Sequence, residues 1–198
     1  MVTFGENPDT HFFSPNRDIL ESYRMLLEKK FSEGEIASSL GFHGFRNKKV
    51  ADIGTRDGRN VDAFRHLGAR DVYGIDPNFS DLDLAVKTGK LDRKHAIGKK
   101  LDQILPKMKG YFDVAAVLNF SIPILERDQF VEALYDVLSP NGEVVMTFVE
   151  GKTLYHTLPI LQRYFNVRES RLTKGTEDGA HAYLVVATKK PQNSIYHG

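Results

Sequence analysis

Two carboxylates, Asp52 and Asp76, and two glycines between them, Gly54 and Gly58, are the residues of this sequence best suited to chemistry. The glycines stand four apart in the run Asp52-Ile53-Gly54-Thr55-Arg56-Asp57-Gly58-Arg59-Asn60-Val61. A turn built on such glycines lets backbone N–H groups and the positive end of the following helix approach a ligand closely. Asp52 precedes the first glycine by two residues, where it can orient the turn or, through water, meet a ligand ammonium. Asp76 closes the run Asp71-Val72-Tyr73-Gly74-Ile75-Asp76. If each carboxylate ends a strand of one parallel sheet, both face the same crevice, and Asp76 can accept hydrogen bonds from paired ribose hydroxyls. The set reads as the entrance to a nucleoside-binding α/β domain.

The same turn excludes other chemistry. It lacks the G-x-x-x-x-G-K-[ST] pattern of an ATPase loop. It also departs from G-x-G-x-x-G, because Arg56 stands where the second glycine belongs, which counts against a pyrophosphate and so against NAD or FAD. There is no cysteine, so disulfides, thiolate nucleophiles and cysteine-held zinc are out. The seven histidines show neither H-x-H nor H-E-x-x-H spacing, and no metal site is expected.

The elements that must position the carboxylates alternate. Helical spacing over residues 14–31, opened by Ser14-Pro15, and a shorter segment over 34–40 predict an N-terminal helical cap. Strands are expected at 50–53, 71–76, 95–98, 112–118 and 143–149. Helices are expected at 59–67, 82–86 and 154–165, with a helical turn within 101–108. A further helix carries Phe130, Leu134, Val137 and Leu138 and is closed by Ser139-Pro140-Asn141-Gly142. Residues 112–118 are an apolar run of strand length, as in a parallel strand covered on both faces. Two last strands, 167–172 and 182–188, form a hairpin. The expected fold is α/β: a Rossmann-like, seven-stranded, mostly parallel sheet with an antiparallel C-terminal strand and helices on both faces. The expected organisation is a cap or lid over 1–47, a core over 48–190 and a frayed tail over 191–198.

Composition bounds the partners. The chain has 198 residues, enough for one sizeable core, and a formal net charge of +1, which gives no global attraction to nucleic acid or membrane. No apolar run approaches the ~20 residues of a membrane span. The first residues lack a secretory signal pattern, and a cytoplasmic protein is expected.

Four runs taken together resemble the class I S-adenosylmethionine-dependent methyltransferases. Val50–Gly58 looks like their first motif, and Gly68–Asp76 resembles their second strand with its ribose-binding acid. Phe112–Asn119 is similar to their fourth strand, and Leu138–Val145 to the approach to their fifth. The resemblance spans about residues 48–189. It implies S-adenosylmethionine as cofactor and S-adenosylhomocysteine as product. It also implies cofactor contacts at Asp52, Gly54, Thr55, Arg56, Gly58, Asp76, Pro77, Asn78, Lys99, Asn119, Phe120 and Ser121. Of these, Asp52 would lie near the methionine amino group and Asp76 at the ribose, with Pro77 and Asn78 beside adenine. Asn119, Phe120 and Ser121 would flank the sulfonium. Two positions depart from the family: Arg56 replaces the middle glycine, and Lys99-Lys100 follow Gly98 where an acid is usual, the nearest being Asp102.

Methyl transfer needs alignment more than a catalytic dyad, since good orientation alone is worth ~7–11 kcal/mol of barrier. Tyr155 and His156, after the fifth strand, are the candidate catalytic residues, with a helix-surface histidine as the plainer reading. His11, Phe12, Phe13 and Tyr23 belong to the expected lid, and His181 to the final hairpin. The expected acceptor is a small molecule or a protein side chain. A non-catalytic cofactor-binding module is the alternative. An RNA methyltransferase would need a basic face around Lys48, Lys49, Arg56, Lys99 and Lys100, and nucleic acid is not favoured. The sequence leaves the acceptor atom and the oligomeric state open.

Overall fold

The computed structural model of the protein describes residues 41–118, 127–148, 151–171 and 183–194. The expected helices of the N-terminal cap, with His11, Phe12, Phe13 and Tyr23, lie outside the described residues, as do Asn119, Phe120, Ser121 and His181.

Seven strands form one sheet: β1 (Lys49–Ile53), β2 (Asp71–Ile75), β3 (Ala96–Ile97), β4 (Phe112–Val117), β5 (Leu138–Phe148), β6 (Phe165–Arg171) and β7 (Tyr183–Lys189). Their order is β3-β2-β1-β4-β5-β7-β6. Strands β1 to β5 pair in parallel, and β7 runs antiparallel to both neighbours, β5 and β6. The chain thus leaves the centre at β1, builds outward through β2 and β3, then returns to the other side of β1 with β4. That reversal opens a crevice beyond the carboxyl ends of β1 and β4, where such sheets bind ligands.

Five α-helices are described: α1 (Val61–His66), α2 (Phe79–Lys87), α3 (Leu105–Met108), α4 (Arg127–Val137) and α5 (Gly151–Tyr164). Successive residues of the central strands enter opposite cores. Ala51, Ala115, Val117, Val144 and Met146 pack with Val131, Leu134, Leu154 and Leu161 of α4 and α5. Val50, Val114, Ala116 and Val145 pack with Val61, Phe64, Leu82 and Ala85 of α1 and α2. This alternation is why β4 is apolar apart from Asp113: each face of a strand covered on both sides loses its water, and burial is worth roughly 25 cal/mol per Å² of apolar surface.

The second core also takes in Phe42 and Phe45, upstream of the strands. Their rings meet edge to face at 5.1 Å, and Phe45 lies 4.9 Å from Phe64 of α1. His43 between them reaches back to the buried Glu143 of β5. Its backbone N–H donates to Oε1 at 3.3 Å, and its Nδ1 stands 3.0 Å from the same oxygen. The segment 41–45 is therefore held by aromatic packing and by a carboxylate that folding removes from water.

Three local expectations change. The strand read at 95–98 shrinks to Ala96–Ile97, because Arg93–His95 form a 3-10 turn with the His95 ring packed 4.5 Å from Tyr73. The helix read over 82–86 begins earlier, at Phe79, because the Asn78 side chain caps it by accepting from the Ser80 N–H at 3.1 Å. Ser139-Pro140-Asn141-Gly142 does follow the helix end at Val137, but it lies within β5. The β4–β5 register shifts between Phe112↔Leu138 and Val114↔Glu143, and Asn141 takes a φ of 63° to absorb the extra residues. Beyond Pro191, Gln192–Ser194 form one more 3-10 turn, tied by Ser194 N–H and Oγ to the Pro191 carbonyl. Among the described residues no helix is long and apolar enough to cross a membrane.

Phe45→Ala is expected to destabilise the fold by about 3–5 kcal/mol, the usual cost of emptying a buried ring's space. Urea unfolding followed by circular dichroism measures it. A change below about 1 kcal/mol would mean that residues 41–45 are not part of the core.

Candidate functional site

The site grows from the register of three strands. Asp52 pairs with Gly74 of β2 and Ala116 of β4, and Ile53 pairs with Ile75. Ile75 pairs in turn with Ile97, and the Asp76 N–H donates to the Ile97 carbonyl at 3.1 Å. The carboxyl ends of β1, β2 and β3 are therefore level, and Asp52 and Asp76 stand side by side along that edge.

Both carboxylates are buried, Asp52 being only 1% exposed. A buried carboxylate must find donors. Asp52 Oδ2 accepts from the Thr55 hydroxyl at 2.7 Å, and the Asn60 side chain is a second partner. Asp76 is served by the backbone: Oδ2 accepts from the Arg56 N–H at 2.9 Å and Oδ1 from the Asn78 N–H at 2.8 Å. Each Asp76 oxygen spends one acceptor site on the protein and keeps another.

The turn between them is bent to make these bonds. Gly54, Arg56 and Gly58 all have positive φ, at 73°, 52° and 72°. Left-handed backbone costs a non-glycine residue about 1–2 kcal/mol. At Arg56 that cost is offset by the charge-assisted bond its N–H makes to Asp76. The Arg56 side chain turns outward and lies 4.0 Å from Asp81, so the departure from the glycine pattern leaves the inner side of the turn to backbone. Gly58 is required for packing as well as conformation: a Cβ there would stand 3.1 Å from the Ala85 Cβ and 3.2 Å from the Lys90 Cβ. Asp57 ties the turn to the loop after α2, with Arg59 Nε at 2.8 Å and Lys90 Nζ at 3.6 Å. Burial raises the Asp57 carboxyl, but these two cations outweigh it and hold it below the usual range.

Two residues that the sequence reading passed over complete this edge. Gly74 leaves room for Thr55: a Cβ on it would lie 2.7 Å from Thr55 Cγ2 and 2.4 Å from a Leu91 methyl carbon. Phe79, directly after Asp76-Pro77-Asn78, is 61% exposed at the start of α2, with the Arg93 guanidinium 5.4 Å from its ring centre. A large aromatic left in water beside a carboxylate is the signal that marked it. Pro77 and Asn78 are exposed between the two, and Lys99 is exposed just past β3, its N–H bonded to the Ile97 carbonyl. Asp102, the acid nearest to Gly98, is exposed at the start of a 3-10 turn.

Tyr155 and His156 sit in the second turn of α5, on its exposed side, while Leu154, Thr157 and Leu161 face the core. The five cations considered for a basic face do not share one. Lys48 and Lys49 lie at the amino end of β1, with the Lys49 ammonium 4.0 Å over the Tyr111 ring, whereas Arg56, Lys99 and Lys100 lie at the carboxyl edge. Among the described residues no cluster of side chains could hold a metal ion.

With this geometry in place, the chain can be set beside known proteins. Residues 51–146 match the family described as "Methyltransferase domain". The fold resembles the crystal structure of a Pyrococcus horikoshii OT3 protein, with a TM-score of 0.66, 17% identity and coverage of 86% of this chain and 92% of that one. It resembles the N-methyltransferase NodS of Bradyrhizobium japonicum WM9 in complex with S-adenosylhomocysteine, with a TM-score of 0.64, 14% identity and coverage of 93% and 94%. It also resembles the 1,6-didemethyltoxoflavin-N1-methyltransferase of Burkholderia thailandensis, with a TM-score of 0.60, 16% identity and coverage of 87% and 91%. A stretch of 112 residues is 31% identical to the protein translocase subunit SecA of Bordetella petrii, covering 54% of this chain and 12% of that protein's length.

The Asp52 carboxyl is pushed up to about 6, chiefly by burial, with the Asp76 charge adding to it and the Thr55 and Asn60 hydrogen bonds opposing. The unfolded chain releases this proton near 3.8. The native state therefore binds the proton more tightly, and Asp52 costs stability progressively as pH rises from about 4 to about 6. Above that window the penalty is complete, at about 3 kcal/mol. Asp52→Asn is expected to be more stable than the parent by on the order of 1–3 kcal/mol at pH 7.5 and to lose that advantage near pH 4. Urea unfolding of both proteins at the two pH values tests this, and a gap that does not change with pH would show that Asp52 is not desolvated.

Proposed function

We propose that this chain, whose residues 51–146 match the family described as "Methyltransferase domain", is a class I S-adenosylmethionine-dependent methyltransferase that moves a methyl group from S-adenosylmethionine to a small molecule. The observation that carries the reading is the paired burial of Asp52 and Asp76 beneath a turn of positive-φ backbone at the sheet's switch point.

The donor set suits the cofactor. Asp76 keeps one acceptor site on each oxygen, which matches a ribose diol. Asp52, desolvated and favoured in its ionised form by Arg59 only weakly, suits an ammonium, whose arrival would favour the ionised carboxylate. The turn, with its only large side chain pointing outward, admits a ligand close to its backbone. In this reading Gly54, Thr55, Arg56 and Gly58 shape the methionine and ribose pocket. Pro77, Asn78 and the exposed Phe79 ring line the adenine side, with Lys99 at its rim. When bound, the cofactor supplies a sulfonium methyl as the electrophile, and the protein's part is to hold that carbon in line with the acceptor. Asn119, Phe120 and Ser121, which follow β4 in the sequence, are the residues that the family resemblance assigns to the sulfonium. Tyr155 and His156 remain candidates for taking a proton from the acceptor, where one must be lost.

A small acceptor is favoured because NodS and the toxoflavin enzyme, similar in fold over most of their lengths, are small-compound or N-methylating enzymes by name. The scattered cations favour neither RNA nor another polyanion. Incubation with methyl-labelled S-adenosylmethionine and a fractionated cell extract should place label in the low-molecular-weight fraction. Label confined to protein would replace the acceptor class. No label anywhere, with S-adenosylhomocysteine still bound, would leave the chain a non-catalytic binder.

Asp76→Ala is expected to weaken S-adenosylhomocysteine binding by about 1.5–3 kcal/mol, as for lost hydrogen bonds to a charged group. Isothermal titration calorimetry reads this as roughly a 10- to 100-fold rise in Kd. Unchanged affinity would remove Asp76 from the ribose.

A further inference from the structure

We propose that Thr55 is a positioning residue for the cofactor: seated in a socket that Gly74 leaves open, its hydroxyl aims the buried Asp52 carboxylate at the cofactor's ammonium and keeps it ionised. This assignment rests on the methyltransferase reading for the identity of the ligand.

Asp52 has few groups to hold it. Its register neighbours on the same face of the sheet are Gly74 of β2 and Ala116 of β4, neither of which has a polar side chain. The charged groups that act on it are Asp76, at the end of β2, and Arg59, in the turn. Asp76 repels, and Arg59 is engaged by Asp57 at 2.8 Å. Two side-chain hydrogen bonds favour the ionised form, from Thr55 and from Asn60, and the Thr55 bond is the stronger influence. Its hydroxyl donates to Asp52 Oδ2 at 2.7 Å.

That hydroxyl is fixed where it stands. Thr55 is 1% exposed, so bulk water does not compete for the bond. A β-branched side chain has few rotamers open to it. The Thr55 methyl group also occupies the place of the missing Gly74 side chain: a Cβ on Gly74 would lie 2.7 Å from Thr55 Cγ2, 3.1 Å from Thr55 Oγ1 and closer still to a Leu91 methyl carbon. Gly74 lacks the positive φ of Gly54 and Gly58, so the space and not the backbone calls for glycine there. The residue that faces Asp52 across the strand pair is thus the one that makes room for its donor.

A desolvated carboxylate drifts toward its neutral form, which cannot hold an ammonium by charge, and a hydrogen bond to the ionised form opposes the drift. Burial lifts the Asp52 carboxyl to about 6 even with Thr55 in place. Below that pH the free protein carries a proton there that an arriving ammonium must displace, and affinity falls by about tenfold per pH unit. Without the Thr55 hydroxyl the fall begins at higher pH.

The test is isothermal titration calorimetry of the full chain with S-adenosylhomocysteine between pH 5 and pH 8, a range over which that ligand keeps its ammonium. The parent should bind with constant affinity from pH 7 to 8 and about tenfold more weakly at pH 5. Thr55→Val keeps the shape and removes the donor. Its deficit relative to the parent should be at least about threefold larger at pH 6.5 than at pH 8. Thr55→Ser, which keeps the donor, should return the break in affinity to the parental pH. Gly74→Ala, which crowds Thr55 from the next strand, should share the Thr55→Val signature. A parental affinity that does not change with pH overturns the proposal. So does a Thr55→Val profile parallel to the parent's, or a Thr55→Ser profile that matches Thr55→Val. If Thr55→Val does not fold, a parental profile in Gly74→Ala overturns it equally. A folded parent that binds no S-adenosylhomocysteine at any pH removes the methyltransferase reading as well, whereas the other adverse outcomes leave that reading standing.

Discussion

Two carboxylates at the carboxyl edge of the sheet leave water when this chain folds, and the shape of the site follows from supplying them with donors. Asp52 takes a hydroxyl from Thr55, and Asp76 takes backbone N–H groups from Arg56 and Asn78. For one N–H to point back across the crevice from β1 to β2, the turn must pass through left-handed backbone at three places, and one of these is an arginine. The bond to Asp76 offsets what Arg56 loses in conformation. Remove the acid, and the turn loses its reason to hold that form. The cleft is thus organised by electrostatics acting on the backbone, with the glycines permitting a geometry that the carboxylates demand.

The sheet makes the pairing of these acids possible. Level strand ends bring positions 52 and 76 together although 23 residues separate them in the chain, and the Asp76 N–H fixes the end of β2 to β3. Helices occupy both faces, so only the edges remain for function. At the opposite edge the same logic serves stability. Asp113 accepts from the Lys49 N–H at 2.9 Å and the Ser139 hydroxyl at 3.3 Å, joining β1, β4 and the bulged start of β5.

Much of this was legible in the sequence because burial on two faces writes nearly continuous apolar runs. Residues 112–118 and 143–149 are such runs, broken only by Asp113, Glu143 and Thr147, and the antiparallel hairpin followed from the break between the last two runs. What could not be read depends on contacts distant in sequence. The bulge at 138–142 uses residues that ordinarily end a helix, and only the register with β4 shows that they continue a strand. Gly74 resembles any strand glycine until Thr55 and Leu91 are seen to fill its space. Phe42 and Phe45 stand before the first strand, where no periodicity signals that they belong to its core. Arg127 is charged, so nothing in its residue type announced that it would join the buried stripe of Val131 and Leu134.

The two buried acids also set the sign of the crevice under β1 and β2. In the proposed reading, a cofactor that brings an ammonium and a sulfonium is drawn to that side by charge. Transfer of the methyl group would turn the sulfonium into a neutral thioether and so remove one positive charge from the acidic side while the site's own charges stay fixed. The same two carboxylates that favour the methyl-bearing cofactor would then hold the product cofactor less tightly.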